Sequence, residues 1–170
     1  MNHLEAFRQV HTFIFDVDGV LTDSRLIVLE NGKLLHRINQ RDELAMKTAV
    51  EKEYRVVIMS GGAGSGLKDR LSQLGVTDLY FSTADKLAAY NEVLDLYDLG
   101  ELDEEGILYM GDDWPDYQAM RRVGLPVCPK DAIPEIIKIS KYISPLTGGT
   151  GCVRDVIEKV LRLHDNWMTP

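Results

Sequence analysis

Short uninterrupted apolar runs alternate with longer segments of helical periodicity along the whole chain. Residues 12–15, 55–59, 79–81 and 107–110 are rich in β-branched and aromatic side chains and lack polar alternation, the pattern of strands buried on both faces of a parallel sheet. Helical spacing predicts helices over about 43–52, 65–74, 86–96 and 115–123, short outer strands at 126–128 and 142–143, and a last helix near 153–164. Strand and helix repeated in this way predict an α/β fold built on a doubly wound parallel sheet. One segment departs from the rhythm. Over residues 26–38, two strand-like runs flank Asn31-Gly32, a strong hairpin signal because both central residues favour positive φ. A β-hairpin is therefore predicted to project from the fold just after its first strand.

Composition narrows the class. At 170 residues the chain has the size of one domain, 1–170, with the hairpin at about 26–38 and a C-terminal tail at about 165–170. Lys and Arg number 19 against 27 Asp and Glu, a net charge of −8, which argues against nucleic acid or an anionic membrane as partner. Cys128 and Cys152 form neither a disulfide framework nor a zinc pattern, so a reducing, cytoplasmic setting is expected. His3, Glu5, Arg8 and Gln9 break the apolar run a secretory signal needs. No stretch approaches the ~18 apolar residues of a transmembrane helix.

Candidate chemistry gathers at the strand ends. Asp16 and Asp18 follow the first buried strand and lie at the carboxyl end of the sheet, where open α/β folds bind ligands. Paired carboxylates raise each other's pKa unless a cation sits between them, and hard oxygen donors point to Mg²⁺; a solvated Asp-x-Asp-Gly turn is the alternative. A second acidic cluster, Asp112, Asp113 and Asp116, follows the strand at 107–110. Acids at two distant strand ends can converge on one metal, which is assigned first to Asp112 with Asp113 and Asp116 in support. Between the clusters, Ser60, Gly61 and Gly62 lead a glycine-rich turn into a helix, an anion site by its amides and hydroxyl. The spacing fits neither the NTPase phosphate loop nor the dinucleotide fingerprint. Lys86 opens a helix against the dipole preference and could pair with the acids and a phosphoryl oxygen.

Taken in order, Asp16/Asp18, Ser60, Lys86 and Asp112 to Asp116 resemble the four motifs of the haloacid dehalogenase superfamily over residues 13–123. The resemblance implies that Asp16 is a nucleophile forming an aspartyl-phosphate and that Asp18 is the general acid/base. It also implies that Ser60 and Gly61 hold the phosphoryl group, that Lys86 neutralises charge, and that Mg²⁺ is bound by Asp16, the Asp18 carbonyl and Asp112. Ser60 comes only 44 positions after Asp16, and Lys86 only 26 positions after Ser60, which leaves no room for an inserted cap domain.

Residues 16–23, the hairpin, Arg41-Asp42 with Met46-Lys47, and the segment 148–155 resemble the 3-deoxy-D-manno-octulosonate 8-phosphate phosphatases. That likeness implies a capless homotetramer of lipopolysaccharide synthesis, with hairpin contacts closing each site over a sugar-acid phosphate. Ser24 and Glu43 stand where the family usually has Gly, and Gly62 replaces a frequent Arg or Glu. Gly62 favours the eight-carbon acid over a nine-carbon sialic-type acid 9-phosphate, the alternative substrate. Arg70 and Arg154 are candidates for the substrate carboxylate, which a guanidinium matches bidentately; each also suits a surface or structural role. A receiver-like phospho-signalling module would place its acids, acceptor and Lys in a different order. A non-catalytic domain would not keep all four motifs.

Overall fold

A computed structural model describes residues 3–62 and 64–168. Six strands form one parallel sheet: β1 (Thr12–Asp16), β4 (Arg55–Met59), β5 (Asp78–Tyr80), β6 (Ile107–Met110), β7 (Leu125–Cys128) and β8 (Tyr142–Ile143), in the order β5-β4-β1-β6-β7-β8. Every pairing between neighbours is parallel. Chain order reverses at β1, which makes its carboxyl end the switch point where a doubly wound sheet opens a crevice.

Side chains of β1 alternate between two cores, as strand geometry requires. Phe13 and Phe15 face one layer with α1 (His3–Gln9), α2 (Gln40–Glu51), α3 (Ser65–Gln73) and α8 (Cys152–Leu163). Ile14 faces the other, with Tyr90 and Val93 of α4 (Lys86–Leu96), Met120 of α6 (Tyr117–Met120) and Ile136 of α7 (Pro134–Ile139). A short α5 (Glu101–Glu104) precedes β6. The connection from β1 to β4 carries a helical turn at Val17–Leu21, the hairpin and α2, and no cap domain interrupts the described residues.

Several boundaries differ from the sequence expectation. α2 begins at Gln40 rather than 43, because Asn39 caps it by accepting from the Arg41 amide at 2.8 Å. The helix expected over 115–123 is a 3₁₀ turn, Trp114–Asp116, capped by Asp113 and followed by α6. The hairpin, β2 (Ile27–Val28) and β3 (Leu34–Leu35), forms its own two-stranded sheet. Only Gly32 has positive φ in its turn; Asn31 does not. The turn is closed by the Gly32 amide to Leu29 O and by the Lys33 amide to Asn31 Oδ1, the three-residue loop with a left-handed glycine rather than the two-residue form. In the tail, the Trp167 amide bonds Leu161 O and the ring lies under the Arg154 guanidinium. Thr169 and Pro170 of that tail, and Ala63 of the glycine-rich turn, lie outside the described residues.

Candidate active site

β1 delivers Asp16 to the crevice, and the chain then turns sharply over Val17–Leu21. Gly19 makes the turn possible twice over. Its φ is +89°, and a Cβ there would fall 1.9 Å from Asp112 Oδ2. The segment 148–151 presses on the same turn: a Cβ at Gly148 would meet Gly19 O at 2.1 Å, and the Gly149 amide donates to Val20 O. That contact gives the C-terminal glycine run its local purpose, holding the turn that aims Asp16 and Asp18.

Four carboxylates and one ammonium then compete for space. Lys86 Nζ lies 2.7 Å from Asp16 Oδ1 and 2.8 Å from Asp116 Oδ1. Asp116 is fully buried. It also accepts from Tyr109 Oη at 3.0 Å and from the Asp112 and Asp113 amides at 3.2 and 3.5 Å. Burial, followed by Asp116, pushes the Asp16 carboxyl well above its usual range against the pull of Lys86. Burial works against the Lys86 ammonium too, but Asp116 and Asp16 outweigh it and hold its pKa above the ordinary value. Asp112 is pushed up to about 7 by burial and by Asp116 and Asp113.

Those shifts describe a site short of positive charge. One oxygen from each of Asp16, Asp112 and Asp116 lies within 4.8 Å of the others. Asp112 Oδ1 is buried without a hydrogen-bond partner. Both Asp116 oxygens are engaged, so Asp16 and Asp112 hold the spare lone pairs. An all-carboxylate set with an orphaned oxygen fits a hard divalent cation, Mg²⁺ by its donors.

Beside this cluster, β4 is followed directly by Ser60, whose Oγ accepts from the Gly62 amide at 3.1 Å. The loop after β5 is bonded to the same turn, Ser82 amide to Gly62 O and Thr83 amide to Ser60 O, so Ser60 and Lys86 are held by one pair of crossed loops. Asp16, Asp18, Gly61, Gly62, Lys86 and Asp112 all line one cavity of about 300 Å³. Asp18 is 40% exposed at its mouth.

The two arginines stand elsewhere. Arg70 donates bidentately to Glu43 at 2.6 and 2.8 Å and borders a neighbouring groove. Arg154 pairs with Glu158 at 3.0 Å. Its amide is held by Asp42, 2.7 Å away. Asp113 serves as a cap, and Asp116 as the acid that fixes Lys86. Sequence reasoning did not single out Tyr109 or His36, which reach the site from a core strand and from the hairpin. Neither carries a local signal, since only the fold brings them to Asp116 and Asp18.

A carboxylate pair, a hydroxyl, an ammonium and a further carboxylate gathered at the carboxyl edge of the sheet are the arrangement of a phosphohydrolase of the haloacid dehalogenase class. Comparison with known proteins sharpens the class. No protein-family model matches the sequence. The chain is 34% identical over 152 residues to the 3-deoxy-D-manno-octulosonate 8-phosphate phosphatase KdsC of Escherichia coli K12, covering 89% of this chain and 79% of that one. Among solved structures it resembles the phosphatase of the same name from Yersinia pestis, with TM-score 0.91 and 32% identity over 96% of this chain and 86% of that one. It also resembles the Moraxella catarrhalis enzyme solved with magnesium ion, phosphate ion and KDO, with TM-score 0.91 and 26% identity over 98% and 94% of the two chains. The chain belongs to the 3-deoxy-D-manno-octulosonate 8-phosphate phosphatase family.

Proposed function

We propose that this chain hydrolyses the phosphomonoester of a sugar acid, 3-deoxy-D-manno-octulosonate 8-phosphate, through an aspartyl-phosphate on Asp16. The observation that carries the reading is the convergence of Asp16, Lys86 and the orphaned Asp112 oxygen in one cavity, in a chain of this family. Asp16 Oδ1 is committed to Lys86 and to the Val17 amide at 2.6 Å, which leaves Oδ2 to attack phosphorus. The phosphorus–oxygen bond to the alcohol breaks as the new bond forms, and Asp18 gives the leaving oxygen its proton. Asp18, now a carboxylate, takes a proton from water, which attacks the aspartyl-phosphate, releases inorganic phosphate and restores Asp16. Ser60 Oγ and the Gly61 amide hold the equatorial oxygens, and Lys86 balances their charge.

Asp16, Asp112 and the Asp18 carbonyl would hold Mg²⁺. When bound, it supplies the charge that keeps both carboxylates ionised beside a phosphate dianion. No cap domain interrupts the described residues, so we assign closure to neighbouring copies in a homotetramer with hairpin-mediated contacts. Leu26, Ile27, Val28, Leu34 and Leu35 are all exposed on the hairpin, which supports that assembly. No described helix is long and apolar enough to cross a membrane, and both cysteines are free and buried, in keeping with a cytoplasmic enzyme.

The test is phosphate release with Mg²⁺ from eight- and nine-carbon sugar-acid phosphates. Turnover of the eight-carbon ester is expected, and Asp16→Asn is expected to lower it by at least ~10³-fold with unchanged circular dichroism. Release that survives Asp16→Asn would refute the nucleophile, and turnover of the nine-carbon ester alone would refute the substrate.

A further inference from the structure

We infer that His36, on the return side of the hairpin, binds the leaving alcohol of the substrate beside Asp18. The inference rests on the reading above, in which Asp18 protonates that alcohol. The His36 side chain is only 8% exposed, although Leu35 and Arg37 on either side of it are open to solvent. Its Nε2 lies 3.8 Å from Asp18 Oδ1. At that distance the two do not hydrogen-bond each other, but one oxygen atom placed about 2.8 Å from both would bridge them with ordinary geometry. The gap is the size of a shared ligand oxygen.

Two glycines clear the approach. A Cβ at Gly64 would press on the His36 ring at 3.3 Å, so position 64 lets the ring settle where it does. A Cβ at Gly62 would meet only ordinary contacts, 3.6 Å from Ser60 Oγ and 3.7 Å from Asp18 Oδ2. Sterics do not demand glycine there; its absent side chain leaves open the space beside Asp18. His36 stands between the catalytic cavity, whose wall is Asp18, and a groove of about 900 Å³ that it lines together with Gly64. With the phosphoryl group held at Lys86 and Ser60, the alcohol leaves past Asp18 and therefore past His36. An imidazole offers both a donor and an acceptor, which matches a polyhydroxylated leaving group and gives nothing to an apolar one. His36 is thereby a specificity residue supplied by the hairpin.

Steady-state kinetics of the full chain with Mg²⁺ on phenyl phosphate, glycerol phosphate and the eight-carbon sugar-acid phosphate test this. His36→Ala should raise KM for the polyhydroxylated esters ~10-fold, the loss of about one hydrogen bond to a polar ligand, with kcat changed less than ~3-fold. Phenyl phosphate turnover and inhibition by inorganic phosphate should stay within ~2-fold. His36→Gln, which keeps an amide donor, should recover most of the KM. Unchanged KM for the polyhydroxylated esters in His36→Ala overturns the inference. So does an equal loss toward phenyl phosphate and inorganic phosphate, which would mark a purely structural residue. If the wild-type chain turns over glycerol phosphate but not the eight-carbon acid, the substrate reading fails, and His36 is judged on the esters that turn over.

Discussion

At the scale of single residues, the departures from the family pattern have separate physical outcomes. Glu43, where the family usually has glycine, is buried and accepts both guanidinium bonds of Arg70, so one substitution and one candidate substrate residue are explained by each other. Ser24 is different. Its φ of +61° is left-handed, a conformation that costs an L-residue roughly 1–2 kcal/mol and glycine almost nothing. Ser24→Gly should therefore stabilise the chain by about 0.5–1 kcal/mol after the added entropy of an unfolded glycine is subtracted. In a chain this long that is ~2 °C in Tm by calorimetry. A lower Tm would mean that the hydroxyl holds the turn more strongly than the backbone strains it.

Among elements, the joint between α2 and α8 carries the clearest electrostatic cost. Asp42 of α2 reaches across to the first turn of α8, where Oδ1 accepts from the Arg154 amide, while Oδ2 is buried with no partner. Burial raises its pKa to about 6 despite the amides of Arg154 and Gly151. The sign follows from proton counting. Between pH 4 and 6 the native chain holds a proton that the unfolded chain has lost, so stability falls as pH rises through that window and levels above it. Asp42→Asn removes the titration and keeps an acceptor for α8. Urea unfolding should find the variant more stable than wild type by on the order of 1–2 kcal/mol at pH 7.5 and by much less at pH 4.5. The same difference at both pH values would refute the account. The sequence discloses such joints poorly. Buried parallel strands announce themselves as continuous apolar runs, and the residues that follow them inherit a position from the sheet, which is why Asp16, Ser60 and Asp112 fall at or just past strand ends, whereas Lys86 lies further on, at the start of α4. Asp42–α8, Arg70–Glu43 and His36–Asp18 each join residues that neither periodicity nor spacing connects. The short helices α1, α5 and α7 fall below the length at which periodicity is informative. Asn31-Gly32 predicted a hairpin but misjudged its turn, because one left-handed residue suffices when the loop has three.

For the molecule as a whole, the question is what closes the site. The sheet places Asp18 at an open mouth, 40% exposed, yet the aspartyl-phosphate chemistry assigned to Asp16 works best with bulk water held back. The hairpin reaches that mouth through His36, 3.8 Å from Asp18. Its short strands leave Ile27, Val28, Leu34 and Leu35 exposed, and a two-stranded sheet with uncovered apolar faces is marginal on its own. Covering those faces with other copies would remove the exposed surface, stiffen the segment that carries His36, and narrow the opening over Asp18. Light scattering at micromolar concentration should therefore find a species near four times the 19.2 kDa chain. Ile27→Asp with Leu35→Asp should shift it to the monomer and raise KM for the sugar-acid phosphate, leaving inhibition by inorganic phosphate within ~2-fold because Ser60 follows β4 and Lys86 opens α4, both outside the hairpin. A wild-type chain found only at 19.2 kDa and fully active would remove neighbouring copies from the site, and closure would then have to come from the hairpin of the same chain.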